Sequence, residues 1–339
     1  MNPDNMPLVT AVIPVYNHDK YVVESIRSIL HQTYRNIDLI ILNDGSNDRS
    51  HEMVLTLVEE CKRRFVRFEY INRENIGLSA TLNQALDMAR GVYFTALASD
   101  DVAFPEKIEL LVNALETKGP TYAVAFGDAL FINGRGQEVQ LMPNGTIHGI
   151  QNEKTYSTFL DFQLRNRDID YRSEVFGTYR TLLAGNYLPA MSNVVRTTAI
   201  QEVGGWTNGN AMEDWEMWLK LSKEYKFLYV DQSLALYRLH GVNASSTITH
   251  KLINSSIALI AREKAYCSQN SLISVWEDSF NSQLIALLRN RNFFLNRNIF
   301  SLSSTEVLSF ILFLMKKAGK KVVKVLCKVS NSHKQTNNY

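Results

Sequence analysis

The chain has 339 residues, of which 45% are hydrophobic and 21% are charged, so it is long enough to bury a sizeable core. The formal net charge of +2 excludes the strongly basic balance of a nucleic-acid-binding protein. The three cysteines, Cys61, Cys267 and Cys327, lie far apart, which excludes a disulfide framework and favours the reducing cytoplasm. The polar start of the chain also lacks the pattern of a signal peptide.

The first hundred residues alternate short apolar runs with longer amphipathic ones. The apolar runs predict strands over Leu8 to Val15, Ile37 to Leu42, Val66 to Ile71 and Val92 to Leu97. Helical spacing between them predicts one helix near residues 22 to 30, one through Met53, Leu57 and Cys61, and one through residues 82 to 89. This alternation predicts an α/β fold with a mostly parallel sheet flanked by helices.

Regularity weakens in the second part of the chain. A helix near residues 108 to 115 and a strand at Tyr122 to Phe126 are predicted. Residues 127 to 188 are predicted to form an irregular excursion over the open end of the sheet, where we expect a substrate to be recognised. The pattern becomes regular again at residues 191 to 203, in a Trp-rich helix from Glu213 and in a strand from Phe227 to Tyr237. Residues 249 to 300 are predicted to form a helical extension.

Residues 301 to 339 are predicted to form a basic amphipathic tail. Its apolar run, Val307 to Met315, is shorter than the roughly 20 residues that a bilayer-spanning helix needs. Lysines follow at positions 316, 317, 320, 321, 324 and 328. The pattern fits either a helix on an anionic membrane surface or a helix packed on the protein with a solvated lysine face.

Polar residues follow each predicted strand, at Tyr16 and Asn17, at residues 43 to 46, at residues 72 to 75 and at residues 99 to 101. Because ligands of open α/β sheets bind beyond the carboxyl ends of the strands, these residues are expected to converge. Adjacent aspartates such as Asp100 and Asp101 can hold a hard divalent cation, which neutralises the charge of a leaving diphosphate. Taken alone, the same pair could simply cap a helix.

The order of these blocks resembles glycosyltransferase family 2, whose members have the GT-A fold. The blocks that carry the resemblance are Ile13-Pro14-Val15-Tyr16-Asn17, Gln32-Thr33-Tyr34, Leu42-Asn43-Asp44-Gly45-Ser46, Asn75-Ile76-Gly77-Leu78-Ser79, Ala98-Ser99-Asp100-Asp101 and Glu213-Asp214-Trp215-Glu216-Met217-Trp218. They span about residues 8 to 245. Two acidic positions of the family pattern are Asn43 and Ser99 here. Both substitutions keep hydrogen-bonding capacity but remove a charge, so a metal would be held weakly and its ligands completed by the diphosphate and water.

The resemblance implies a nucleotide-sugar donor and a divalent metal, Mn²⁺ or Mg²⁺. Pro14, Tyr16, Asn17, Asp44 and Asn75 would then hold the nucleotide, with Tyr16 stacking on the base. Asp100 would contact the ribose or donor sugar, whereas Asp101 would bind the metal. Without the other blocks, the simpler interpretation would be that Tyr16 covers a sheet edge and that Asp44 caps a helix.

The resemblance also implies that the acidic block at the start of the Trp-rich helix is catalytic. Asp214 would be the general base of an inverting transfer, and Glu213 would hold an acceptor hydroxyl. Both acids would also stabilise a helix N-terminus without any catalytic role. Further on, Arg238 would balance phosphate charge and His240 would bind the metal or the diphosphate. Gly204-Gly205-Trp206 resembles a loop that approaches the donor sugar, although Trp206 could equally cover the core.

The predicted function is therefore an inverting, metal-dependent hexosyltransferase, with residues 1 to 126 binding the donor and residues 127 to 248 binding the acceptor and carrying the base. A uridine nucleotide and a cell-surface glycan acceptor, such as a lipid-linked O-antigen polysaccharide, are implied by analogy. A cytoplasmic protein on the inner face of the plasma membrane is expected. The alternatives are a sugar-phosphate nucleotidyltransferase, which would show a Gly-rich basic loop after the first strand, and a non-catalytic nucleotide-binding descendant.

Overall fold

A computed structural model describes residues 6 to 148, 155 to 241 and 249 to 289. The chain divides into two compact units, Met1–Thr247 and Ile248–Tyr339. The first unit is a mixed α/β structure with a central sheet, and the described part of the second unit is helical. The predicted tail, residues 301 to 339, lies outside the described residues.

The strands of the first unit are β1 Val9–Val15, β2 Ile37–Asp44, β3 Arg67–Arg73, β4 Tyr93–Ala96, β5 Val102–Ala103, β6 Tyr122–Asn133, β7 Glu138–Leu141, β8 Ile147–His148, β9 Asn193–Arg196 and β10 Lys226–Leu239. Its helices are α1 Val22–Leu30, α2 Ser50–Leu55, α3 Val58–Arg64, α4 Leu78–Met88, α5 Lys107–Lys118, α6 Phe159–Leu164, α7 Tyr179–Leu183, α8 Thr197–Glu202 and α9 Glu213–Ser222. The second unit contains α10 Thr249–Arg262, α11 Lys264–Gln269 and α12 Ile273–Arg289.

The central sheet has the strand order β3-β2-β1-β4-β9-β6-β10-β5. Strands β3, β2, β1 and β4 are parallel, which confirms the parallel sheet predicted for the first part of the chain. Strand β9 is antiparallel to both β4 and β6, and β6 pairs in parallel with β10. All residues of β2 are buried, as expected for an apolar strand with helices on both faces.

Two predicted elements differ from the structure. The predicted second helix is two helices, α2 and α3, and the Thr56 hydroxyl between them donates to the carbonyl of Met53 at 2.6 Å, a local bond that competes with helix continuation. The strand predicted to end at Phe126 continues to Asn133, because β10 pairs with it along its length. The beginning of the predicted excursion is therefore part of the sheet. Among the described residues, no helix has the length and apolar character needed to cross a bilayer.

Candidate active site

The carboxyl ends of β1 and β4 bring two histidines and one aspartate together with the end of β10. His18 follows β1, Asp100 follows β4 and His240 follows β10. His240 Nε2 lies 2.9 Å from Asp100 Oδ2, and His18 Nδ1 lies 3.8 Å from Asp100 Oδ1. The three candidate ligand atoms all lie within 4.8 Å of one another. We call these three residues the His-Asp-His cluster.

The chemistry of this cluster suits a divalent transition metal. Imidazole nitrogen and carboxylate oxygen are both ligands of Mn²⁺, and a metal binds the neutral form of histidine. Burial lowers the pKa of His18, although Asp100 acts in the opposite direction, and a lowered pKa favours the neutral ring. His18 Nδ1 also lies 2.8 Å from the Ser99 hydroxyl, which orients the ring. The residues present therefore fit a metal ion.

Asp101 faces the protein interior rather than the cluster. Its side chain is 2% exposed, and Oδ1 accepts a hydrogen bond of 2.9 Å from the backbone N–H of Arg238. Burial, followed by the neighbouring Asp100, raises the pKa of Asp101 well above its usual range. The buried Lys107 ammonium donates to the Met191 carbonyl, and burial lowers the pKa of Lys107 to about 7. Of the two predicted metal ligands, only His240 lies in the His-Asp-His cluster.

Arg238 is bound to its own chain. Its guanidinium, 1% exposed, donates from Nε to the carbonyl of Asp100 at 2.7 Å and from Nη2 to Glu24 Oε2 at 2.5 Å. It also lies over the ring of Tyr21, which stacks on His240 with 4.8 Å between ring centroids. Arg238 thereby fixes the loop that carries Asp100, instead of presenting its charge on the surface.

The predicted nucleotide residues of β1 and β2 lie at neighbouring strand ends. Pro14 pairs with Leu42 in the parallel register of β1 and β2, and the Tyr16 side chain that follows β1 is 47% exposed. Asn17 adopts a left-handed φ of 55°, and its Oδ1 accepts from the backbone N–H of Asn47 at 2.8 Å. The loops after β1 and β2 are therefore tied together directly beside an exposed aromatic ring.

Asp44 organises the loop between β3 and α4. Its carboxylate accepts from the backbone N–H groups of Ile76 at 2.8 Å and Gly77 at 3.0 Å and forms an ion pair with Arg73. The Asn75 amide donates to the Asp44 carbonyl at 2.8 Å. A Cβ on Gly45 would lie 2.6 Å from the Asn75 nitrogen, and Gly45 has φ +71°, so glycine is required at this close approach.

Asp214 lies in the first turn of α9, as predicted, next to Glu213. Its Oδ2 accepts from the Asn186 side chain at 2.8 Å, and its Oδ1 accepts from the Trp215 N–H at 2.6 Å. Burial raises the pKa of Asp214, while the two hydrogen bonds oppose this rise. Both bonds stabilise the ionised carboxylate, which is the form that can accept a proton.

The Gly-Gly-Trp loop is held against α4. Asn83 of α4 donates to the Trp206 carbonyl at 2.8 Å and accepts from the Trp206 N–H at 2.9 Å. The Trp206 ring is half-buried and packs against Phe94 with 5.8 Å between centroids. This packing agrees with a role in covering the core.

Three residues of the site were missed at the level of the sequence. His18 is the third residue after β1, next to the predicted Tyr16 and Asn17, so its position was a usable signal. Asn186 lies in a segment without periodicity, and nothing in the sequence relates it to Asp214. Glu216 accepts from Thr207 and from Asn210, both at 2.8 Å, and so fixes the loop before α9.

Residues 10–183 match the family model described as Glycosyl transferase family 2. An uncharacterised glycosyltransferase of Haemophilus influenzae is 27% identical over 270 residues, which cover 77% of this chain and 74% of that protein. Chondroitin synthase of Escherichia coli is 27% identical over 240 residues, 71% of this chain but 30% of that enzyme.

Two solved structures share the fold. TarS 1-349 of S. aureus in complex with UDP-GlcNAc has a TM-score of 0.55 and 14% identity, over 91% of this chain and 80% of that chain. The mannosyltransferase PcManGT of Pyrobaculum calidifontis, in complex with GDP-Man and Mn²⁺, has a TM-score of 0.54 and 14% identity, over 94% of this chain and 89% of that chain. The likeness confirms the predicted GT-A fold.

Proposed function

This chain belongs to glycosyl transferase family 2, and on that basis we propose that it transfers a sugar from a nucleotide diphosphate to a hydroxyl acceptor, with inversion at the anomeric carbon. The observation that carries the proposal is the pair of clusters in the first unit. One combines two imidazoles with a carboxylate, and the other holds a half-buried carboxylate by two hydrogen bonds. A metal-bound diphosphate and a general base are the two requirements of such a transfer.

His18, Asp100 and His240 are proposed to hold the metal. This assignment replaces Asp101 by Asp100, because Asp100 lies beside both histidines, whereas Asp101 accepts from the backbone of Arg238. The cation would neutralise the charge that develops on the leaving diphosphate. The Mn²⁺ in PcManGT supports the choice of metal. Arg238 is then a positioning residue, since it fixes the carbonyl of Asp100.

Pro14, Tyr16, Asn17, Asp44 and Asn75 are proposed to bind the nucleotide. The exposed Tyr16 ring offers a flat apolar face on which a base can stack. Asp44 holds the loop of residues 75 to 77 beside it, and a carboxylate oxygen accepts more than one hydrogen bond, so Asp44 can still receive a base N–H or a ribose hydroxyl. The UDP-GlcNAc in TarS and the GDP-Man in PcManGT support a nucleotide sugar, and the resemblance favours UDP.

Asp214 is proposed to take the proton of the acceptor hydroxyl as its oxygen attacks the anomeric carbon. Asn186 and the Trp215 N–H hold the carboxylate in one orientation. Orientation matters because a base must lie within hydrogen-bond reach of the proton that it removes. Glu213, its neighbour in α9, is proposed to hold a second acceptor hydroxyl.

The acceptor is proposed to be a growing polysaccharide of the cell envelope. The likeness to chondroitin synthase supports a glycan acceptor. Reaction at the cytoplasmic face of the plasma membrane, with the lysine-rich residues 316 to 328 on the lipid surface, is proposed from the sequence of the tail.

Incubation of the purified protein with a panel of nucleotide sugars and glycan acceptors tests this function. We expect acceptor-dependent release of nucleoside diphosphate from one donor in the presence of Mn²⁺ or Mg²⁺ and loss of release with a chelator. Release that is unaffected by the chelator would contradict the metal site. Failure of every donor to bind or react would contradict the function itself.

A further inference from the structure

A cavity of about 340 Å³ lies in the segment between β8 and α7, outside both clusters described above. Its volume falls within the range of about 300 to 1,000 Å³ that is usual for small-ligand sites. Tyr156, Asp161, Arg165, Arg167 and Tyr171 lie on its walls. Tyrosine rings and arginine side chains together are suited to a sugar that carries an anionic group.

The two arginines of this cavity donate only to backbone carbonyls within the described residues. Arg165 donates from Nε to the Pro143 carbonyl at 3.2 Å and stacks over the Phe162 ring. Arg167 donates from Nη1 to the Gly185 carbonyl at 2.7 Å and from Nη2 to the Asn186 carbonyl at 3.4 Å. Each guanidinium has five N–H donors, so both retain donors for a ligand.

The cavity also has an excess of positive charge. In the described part of the chain, neither arginine forms an ion pair, and the exposed Asp161 is the single acid among the lining residues. Burial is the first cause that lowers the pKa of Arg167, and the nearby charge of Arg165 lowers it further. Arg165 and Arg167 are two close, half-buried cations, and an anion that binds both would stabilise them.

Arg167 connects the cavity to Asp214, the proposed base. Arg167 holds the carbonyls of Gly185 and Asn186, and the Asn186 side chain donates to Asp214 at 2.8 Å. A Cβ on Gly185 would lie 2.7 Å from Arg167 Nη2, and Gly185 has φ +139°, so glycine admits the guanidinium here. A ligand that binds Arg167 would therefore contact the side chain that holds the loop of Asn186, the hydrogen-bond partner of Asp214.

We propose that this cavity is an acceptor subsite for an anionic sugar, whose carboxylate or phosphate is bound by Arg165 and Arg167. This proposal rests on the sugar transfer proposed above. The cavity would bind one sugar of the acceptor, and the neighbouring sugar would carry the hydroxyl that Asp214 deprotonates. Tyr156 and Tyr171 provide ring faces for the sugar, and Tyr171 is braced by Tyr229 with 4.8 Å between centroids. The donor nucleotide is bound elsewhere, at the strand ends.

Binding of three small probes to the full chain tests the subsite without turnover. The probes are methyl β-D-glucuronide, methyl β-D-glucoside, which differs by the missing carboxylate, and glucose 6-phosphate, and binding is measured by saturation-transfer NMR and calorimetry. We expect the glucuronide or the phosphate to bind about 10-fold more tightly than the glucoside, since a hydrogen bond to a charged group has about this effect. The stronger of the two anionic probes identifies the source of the charge.

The variant Arg165→Gln is expected to lose this preference, whereas Arg63→Gln is expected to keep it. Arg63 is the matched control because it is an exposed arginine of α3 that does not line the cavity. Equal or undetectable binding of all three probes to the wild-type protein would overturn the subsite, whether or not Arg165→Gln folds. An unchanged preference in a folded Arg165→Gln protein would overturn it as well.

The affinity for UDP and Mn²⁺, measured on the same samples, separates this proposal from the proposed function. Normal UDP binding in Arg165→Gln with loss of the anionic probe supports the subsite. Binding of the anionic probe to a wild-type protein that binds no nucleotide and transfers no sugar would contradict the proposed function and would overturn an acceptor subsite with it. Normal transfer without any preference for the anionic probes would contradict the subsite alone.

Discussion

Asp100 and Asp101 are adjacent in the chain but have different surroundings. Both are buried, but Asp100 lies 3.8 Å from His18 and 2.9 Å from His240, whereas Asp101 accepts from the Arg238 N–H. Neither histidine is near Asp100 in the sequence, so the proposed metal site depends on strand ends that only the fold brings together. The proposed mechanism therefore assigns the metal to Asp100 and not to the adjacent Asp101.

The variants Asp100→Asn and Asp101→Asn form a matched pair. Asp100→Asn is expected to reduce the Mn²⁺-dependent affinity for UDP by about 10-fold or more, because even residues behind a metal ligand contribute 10-fold to 100-fold to metal affinity. Asp101→Asn is expected to keep it, since an amide oxygen still accepts from Arg238. Calorimetric titration with UDP, with and without Mn²⁺, measures both. The reverse result would assign the metal to Asp101 instead of Asp100.

Asn186→Ala tests how the proposed base is held. The change removes one hydrogen bond that opposes the burial-induced rise in the pKa of Asp214, so this pKa rises further. A base is active when it is ionised, and activity is lost as the pH falls through its pKa. The acidic limb of the kcat profile should therefore move to higher pH, with kcat about 10-fold lower at neutral pH.

The KM for the donor is expected to stay the same in Asn186→Ala, since Asn186 does not belong to the proposed nucleotide site. A profile with an unmoved acidic limb would remove Asn186 from the mechanism. Asp214 itself could be predicted from the motif on α9, whereas Asn186 could not. Its hydrogen bond joins a segment without periodicity to a helix, and sequence patterns report local periodicity but not such contacts.

Loops between elements carry most of the candidate site. The loop before α9 is held by Asn83 of α4 through Trp206, and Lys220 of α9 donates to the Gly205 carbonyl at 2.8 Å. Elements with strong periodicity, such as α1 and β1, could be predicted within one or two residues. The break between α2 and α3 and the extension of β6 could not, because a Thr56 side-chain bond and the pairing with β10 determine them.

Gly205→Ala and Gly204→Ala test how tightly this loop is packed. Both glycines have a positive φ, +63° and +79°, so alanine costs about 1 to 2 kcal/mol at either position. A Cβ on Gly205 would lie 2.6 Å from Asn83 Oδ1, whereas a Cβ on Gly204 meets nothing within 4 Å. Gly205→Ala should therefore lower the free energy of unfolding by about 1 to 3 kcal/mol more, as measured by urea denaturation. Equal losses would contradict the close contact.

At the scale of the whole molecule, all the proposed site residues belong to the first unit, Met1–Thr247. The second unit contributes helices α10 to α12, and the lysine-rich tail follows them in the sequence. The fold of the first unit could be predicted from the alternation of strands and helices together with the family motifs. The sequence of the tail fits both a helix on an anionic membrane surface and a helix packed on the protein.

Deletion of residues 301 to 339 distinguishes these readings. If the lysines bind an anionic surface, each contributes about 1 kcal/mol near that surface, and co-sedimentation with phosphatidylserine vesicles should fall sharply on deletion. Replacement of the same lysines by glutamine controls for loss of the apolar run. Unchanged partitioning of the shortened chain would favour a helix packed on the protein.

The transfer itself is tested most directly by Asp214→Asn. With the donor and acceptor identified by screening, the rate of sugar transfer and the affinity for the nucleoside diphosphate are measured on the same preparation. We predict that transfer falls by about 100-fold or more, the usual contribution of a general base, while nucleotide affinity stays unchanged. Transfer at the wild-type rate would contradict the account.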